Sequence, residues 1–229
     1  MKTARVIDYE TTGTPDDDSA EIIEVGFYDI DLTTRQITNQ FQTVIRPRGE
    51  IPPVTMAVHH LTIDDVKDGP EAREIMDTVL DGADVFVAHN AKFEQHFTPD
   101  SKTPWICTYK VARVVWPDAP GHGNQVLRYW LDVDGDAEFD RTFASPPHRA
   151  LPDAYVTAHI FFRLLKAKTV EEMIHISKYP ALLKTMNFGK HKGTTFEDAP
   201  LDYLDWIVTK SDMDEDTKFT AKYWIKKRA

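Results

Sequence analysis

ARVIDYETTG, residues 4–13, decides how the rest of the chain is read. Ala4-Arg5-Val6-Ile7 has the apolar, β-branched character of a strand, and Thr11-Thr12-Gly13 has that of a turn. Between them stand Asp8 and Glu10, separated by one residue. If the strand runs on through Glu10, its two-residue period puts both carboxylates on one face, together with Val6. Two acids on one face of a buried strand are costly unless cations or hydrogen-bond donors satisfy them. Oxygens at this spacing suit hard divalent cations such as magnesium or manganese. If the strand stops at Ile7, the same acids are solvated turn residues. The apolar lead-in and the TTG turn favour the metal-binding strand.

Working outward, EIIEVGFYDID (21–31) and NQFQTVIRP (39–47) read as two further strands, so the chain opens as an antiparallel meander. IPPVTMAVHHLT (51–62), with its paired prolines, reads as a loop or broken helix. A helix is expected around 70–82, where Ala72, Ile75, Met76 and Val79 keep helical spacing. DVFVAH (84–89) is apolar without alternation, as in a strand buried on both faces. Helical segments are expected near 108–116, 124–132 and 149–168, then from Thr169, which opens a capping box with Glu172. Strands followed by alternating strand and helix predict an α/β fold over residues 1–179. Its mixed central sheet, an antiparallel meander and then parallel strands, is flanked by helices. From Pro180 onward a basic, glycine-bounded turn, FGKHKG (188–193), precedes two helices near 200–210 and 214–227, a small helical C-terminal module over 180–229.

The 229 residues are enough for one full-sized core and a small second unit. No apolar run reaches the length of a membrane span, and the N-terminal residues lack a signal-peptide pattern, so a cytoplasmic protein is expected. The single cysteine, Cys107, excludes an internal disulfide and any cysteine-based zinc site, and reads as a small buried residue. A net charge of −10 counts against a protein that coats duplex DNA. It counts less against one that grips a strand end, because acids holding divalent cations are partly neutralised in use. The deficit also lies wholly in residues 1–179, since the tail carries nine Lys/Arg against eight Asp/Glu.

Two further segments carry candidate chemistry. In VAHNAKFEQHF (87–97), Phe93 and Phe97 suit the buried side of a helix, and Asn90 and Glu94, also four apart, share another side. Glu94 is either a surface helix residue or one carboxylate of an assembled site. In PHRALPD (147–153), His148 precedes the best-defined helix and Asp153 lies one to two turns into it, with Pro152 tolerated if it falls in the first turn. An imidazole and a carboxylate at one helix end can act as base and metal ligand, although a His and an Asp at this spacing are usually structural.

Taken in order, DYETTG, HNAKFE and HRALPD resemble motifs I, II and III of the DEDDh 3′→5′ exonucleases, a superfamily with a ribonuclease H-like fold. AVHHLT, WICTYKVARVVWP, NFGKHKG and the two final helices resemble its bacterial exonuclease X branch, so the likeness spans nearly the whole chain. The resemblance implies that Asp8, Glu10, Glu94 and Asp153 bind two divalent cations, Mg²⁺ or Mn²⁺, and that His148 is the general base. It also implies that Thr11, Thr12, Gly13, His59, Leu61 and Asn90 approach the 3′-terminal nucleotide. The implied reaction releases nucleoside 5′-monophosphates from nucleic acid with a free 3′ end, DNA favoured, without an obligate protein partner. Glu94 departs from the family, which usually has Asp there. An exoribonuclease on the same fold, or a weakened member that only binds nucleic-acid ends, are the alternatives. In the tail, Lys190 and Lys192 are candidate phosphate contacts, while Tyr203, Trp206, Tyr223 and Trp224 read first as the cores of two small helices.

Overall fold

The computed structural model describes residues 1–99 and 101–228. β1 (Thr3–Thr11), β2 (Ile22–Asp31) and β3 (Gln36–Val44) form the antiparallel meander. There follow α1 (Pro53–His59), α2 (Ile63–Val66), α3 (Ala72–Leu80), β4 (Val85–Ala88), α4 (Lys92–Phe97), β5 (Trp105–Cys107) and α5 (Thr108–Val115). Then come α6 (Asn124–Trp130), α7 (Ala150–Leu164), α8 (Val170–Lys178), α9 (Leu201–Lys210) and α10 (Glu215–Arg228). The five strands form one sheet in the order β3-β2-β1-β4-β5. β1 pairs antiparallel with β2 and parallel with β4, so pairing changes sense at the strand that carries Asp8 and Glu10.

Alternation along β1 divides the core. Ala4 and Val6 pack with Ala154, Ala158 and Phe161 of α7, whereas Ile7 and Tyr9 pack with Ile75 and Val79 of α3. Asp8 and Glu10 continue the α7 face to the carboxyl end of the strand, where parallel α/β sheets place their ligands. Gly26, directly opposite Asp8 on β2, lets that helix come close: an added Cβ would lie 2.3 Å from the Leu151 nitrogen. A third cluster, with Leu183, Met186, Phe196, Leu204, Ile207 and Ala221, forms the core of the C-terminal segment.

Two segments differ from expectation. Residues 51–62 contain a true helix, α1, because Pro52 and Pro53 occupy its N-cap and first turn, where no backbone N–H is needed. Trp105–Cys107 is a strand paired parallel to β4, too short for any local periodicity to show. Among the described residues no helix is long and apolar enough to cross a membrane. Cys107 is buried, with its N–H bonded to Ser177 Oγ at 2.8 Å.

Candidate active site

β1 and the first turn of α7 bring three acids together. Asp8, Glu10 and Asp153 each offer an oxygen, and these oxygens lie within 4.8 Å of one another. Glu10 is buried, while Asp8 and Asp153 are half-buried. Burial, then the charges of Asp153 and Glu24, push the Glu10 carboxyl up to about 8, against an opposing pull from Arg149. Asp8 is raised well above the ordinary carboxylate range by burial first, then by Glu94, Asp153 and Glu10. Asp153 is also raised by burial, although hydrogen bonds hold it back. His148 donates its backbone N–H to Asp153 Oδ2 at 2.8 Å, and Gln125 Nε2 donates to Oδ1 at 3.0 Å.

Glu94 is buried on α4, 3 % exposed, and is the strongest charged neighbour of Asp8. It lies outside the 4.8 Å trio. Its Oε2 is buried with no hydrogen-bond partner among the described residues, and burial raises its carboxyl. An orphaned carboxylate oxygen beside three mutually repelling acids is a donor set that divalent cations fit. Asn90 does not share a helix face with Glu94. It sits in the turn before α4 with φ 71, so the helical phase begins after it.

The remaining sequence candidates fall into separate settings. His148 is exposed, in left-handed backbone (φ 59) just before α7. Thr11 and Thr12 are buried at the end of β1, where Thr11 Oγ1 donates to Gly13 O at 2.6 Å and closes the turn. His59 Nδ1 accepts the Leu61 N–H at 3.0 Å, which leaves the proton on Nε2, buried and unpartnered among the described residues. Leu61 packs with Ile23, Ile51 and Val66 in a small cluster of its own. Lys190 and Lys192 are exposed on the 189–193 turn and form no hydrogen bond or ion pair with the acids among the described residues. Of the tail aromatics, Tyr203 is core as expected, but Trp206 and Tyr223 are 41 % and 38 % exposed.

Gln125, Glu24 and Arg149 were not singled out from sequence. Gln125 gives no local signal, because its role depends on α6 lying beside α7. Glu24 does leave a trace, an acid inside the apolar run IIEVGF.

The RNase_T exonuclease family model matches residues 6–161. Exodeoxyribonuclease 10 of Escherichia coli (strain K12) is 31% identical over 231 aligned residues, covering 96% of this chain and 98% of that protein. The chain belongs to the exonuclease family. It is a 3′→5′ exonuclease of the DEDDh type, and this family depends on divalent metal. A structure of exonuclease X in complex with 5′ overhanging duplex DNA superposes with a TM-score of 0.65 at 30% identity, covering 76% of this chain and 99% of that one. The nuclease domain of 3′hExo, a DEDDh family member bound to rAMP, shares the fold at 20% identity with a TM-score of 0.58 over 72% of this chain.

Proposed function

We propose that this exonuclease acts on DNA, with Asp8, Glu10, Glu94 and Asp153 holding two divalent cations, Mg²⁺ or Mn²⁺, and His148 as general base. The observation that carries the proposal is the convergence of the Asp8, Glu10 and Asp153 oxygens within 4.8 Å, with the His148 backbone bonded to one of them. The two relatives described above at 30% identity or more are named for DNA: an exodeoxyribonuclease and an exonuclease in complex with 5′ overhanging duplex DNA.

Water attacks the terminal phosphorus, the bond to the penultimate 3′ oxygen breaks, and a nucleoside 5′-monophosphate leaves. His148 takes the proton of the attacking water, a role that suits an exposed imidazole at the rim of the acids. The cations, when bound, supply charge stabilisation to the phosphoryl oxygens and the leaving oxygen. Asp153 is held for its part by the His148 N–H and Gln125. Thr11, Thr12 and Gly13 offer backbone along the terminal nucleotide. The fixed tautomer of His59 makes Nε2 a donor, and Asn90 adds an exposed amide at the turn before Glu94. Leu61 contributes through its backbone N–H, which fixes the His59 ring.

Matched DNA and RNA oligonucleotides with free 3′ ends test the substrate, and faster turnover on DNA is expected. Faster hydrolysis of RNA would move the assignment to an exoribonuclease. In single-turnover assays His148→Ala should lose about 10²–10⁴-fold, the usual worth of a positioned general base.

Residues 180–229 act, in this proposal, as a separate helical module, with Lys190 and Lys192 on phosphates of the incoming strand. Both lysines are exposed on a turn framed by Gly189 (φ 62) and Gly193 (φ 90), which suits close backbone approach. Replacing both with Gln should lower the slope of log K against log[salt] by about 1.8, roughly 0.9 per lost phosphate contact on duplex DNA. An unchanged slope would remove them from the binding surface.

A further inference from the structure

β2 carries one charge that its apolar run does not call for. Glu24 is 0 % exposed and lies directly across from Glu10 in the β1–β2 register. Its carboxylate accepts from Arg149 Nη2 at 2.6 Å and Nε at 2.9 Å, from the Ala150 N–H at 3.0 Å and from Gln42 Nε2 at 2.8 Å. Arg149 and Ala150 are the two residues that follow His148.

The position is an expensive one for an acid. Burial demands that every lone pair be satisfied, and the charge adds to the repulsion already acting on Asp8 and Glu10. A well-packed apolar residue would serve the strand at lower cost. What the acid provides is a tether. The bidentate fork fixes the guanidinium plane as well as its distance, which a point charge cannot do. The Ala150 N–H is one of the unpaired donors of the first turn of α7, so Glu24 also caps that helix from another strand. Two residues along β2, Gly26 lets the backbone of Leu151 rest against the strand.

His148 is therefore held from both sides: its own N–H is fixed on Asp153, and its successor is clamped to the strand that pairs with the one bearing Asp8 and Glu10. With left-handed backbone at His148 itself, neither tether alone sets the direction of the imidazole. We infer that Glu24 and Arg149 are positioning residues for the hydrolysis: their buried ion pair places His148 over the acids without touching substrate or metal. The inference rests on the proposed role of His148 as the base.

A mutant cycle tests it. Arg149→Met and Arg149→Lys are each made in the wild-type and His148→Ala enzymes and assayed in single turnover with saturating Mn²⁺ and a DNA oligonucleotide. Arg149→Met is expected to slow the wild-type enzyme by about 10–100-fold, the cost of a misplacement on the order of 1 Å. KM should stay within about 2-fold, since the lost interaction is one of positioning and not of ground-state binding. Mn²⁺ is kept saturating for each variant, because Arg149 also opposes the repulsion on Glu10. Arg149→Lys should recover part of the rate, because it restores the charge but not the fork. In the His148→Ala background Arg149→Met should slow the enzyme by less than about 2-fold, because residues that act as one unit are non-additive. Equal slowing of the two backgrounds at saturating Mn²⁺ overturns the inference. Full activity of His148→Ala overturns the general-base proposal, and it is read from a different pair of enzymes. Should Arg149→Met fail to fold, Glu24→Gln, nearly isosteric, replaces it in the same cycle with the same outcomes.

Discussion

Asp8→Ala is expected to abolish turnover, with a loss on the order of 10³-fold or more, because it removes the carboxylate most central to the proposed cation site. Charge stabilisation by metal is worth several kcal/mol of barrier, and each 1.36 kcal/mol is tenfold in rate. Asp8 is central on two counts. It shares the 4.8 Å trio with Glu10 and Asp153, and it is also the acid that Glu94 influences most directly among them. The protein should still fold, since removing one of several repelling acids relieves the metal-free state. Unchanged hydrolysis of a 3′-labelled oligonucleotide by Asp8→Ala, purified away from host nucleases, would reject the metal assignment. Glu94 makes a graded companion. Its extra methylene gives it roughly 1.5 Å more reach than Asp, so Glu94→Asp should remain active, while Glu94→Ala should lose most activity. An active Glu94→Ala enzyme would leave the orphaned Oε2 without a catalytic purpose.

The second large effect is the dependence of stability on pH and metal. Without metal, Glu10 titrates near 8 in place of 4.5, and Asp8, Glu94 and Asp153 are displaced upward as well. The folded chain thus keeps protons that the unfolded chain has already released. Stability falls as pH rises from about 4.5 to about 8, where the unfolded state binds fewer protons than the native one. The buried histidines work in the opposite sense. His89 and His159 are lowered to about 4, so their contribution grows with pH and is complete above about 6.5. Between pH 6.5 and 8.5 the acids therefore act alone among these shifted groups, and the metal-free Tm should drop. Divalent cations bind the deprotonated acids and displace those protons. The gain in Tm on adding Mn²⁺ should consequently be larger at pH 8.5 than at pH 6.5. A linked change of about 2 kcal/mol would move Tm by roughly 4–8 °C in a chain of this size. Calorimetry at pH 7 in buffers of high and low ionisation enthalpy should register proton release on Mn²⁺ binding. A metal-free Tm that climbs between pH 6.5 and 8.5 would contradict this account, as would heats independent of buffer.

Some of this chemistry was legible in the chain because it obeys local periods. Asp8 and Glu10 lie on one face of β1 because strands alternate, and β1 does run through Thr11. His148 and Asp153 sit at one helix end because α7 starts between them. The glycine-bounded turn and the two final helices are likewise where the sequence pattern puts them. Local reasoning failed where a single backbone angle broke the period. Asn90 and Glu94 are four apart, but left-handed backbone at Asn90 delays the helix, and only Glu94 faces inward from it. β5 escaped notice because three residues carry no pattern, and its identity as a strand comes from its pairing with β4.

By itself, then, the sequence carried the fold class and the order of the motifs: local spacing pairs Asp8 with Glu10 and His148 with Asp153, while the resemblance of the three motifs to those of the DEDDh exonucleases implies their roles and that of Glu94. Only the tertiary structure decided what holds them in place. Gln125 reaches Asp153 from another helix, Gly26 admits the backbone of α7, and Glu24 clamps Arg149 from a residue 125 positions earlier in the chain. Such contacts join segments far apart in sequence, and no local period records which segments will meet.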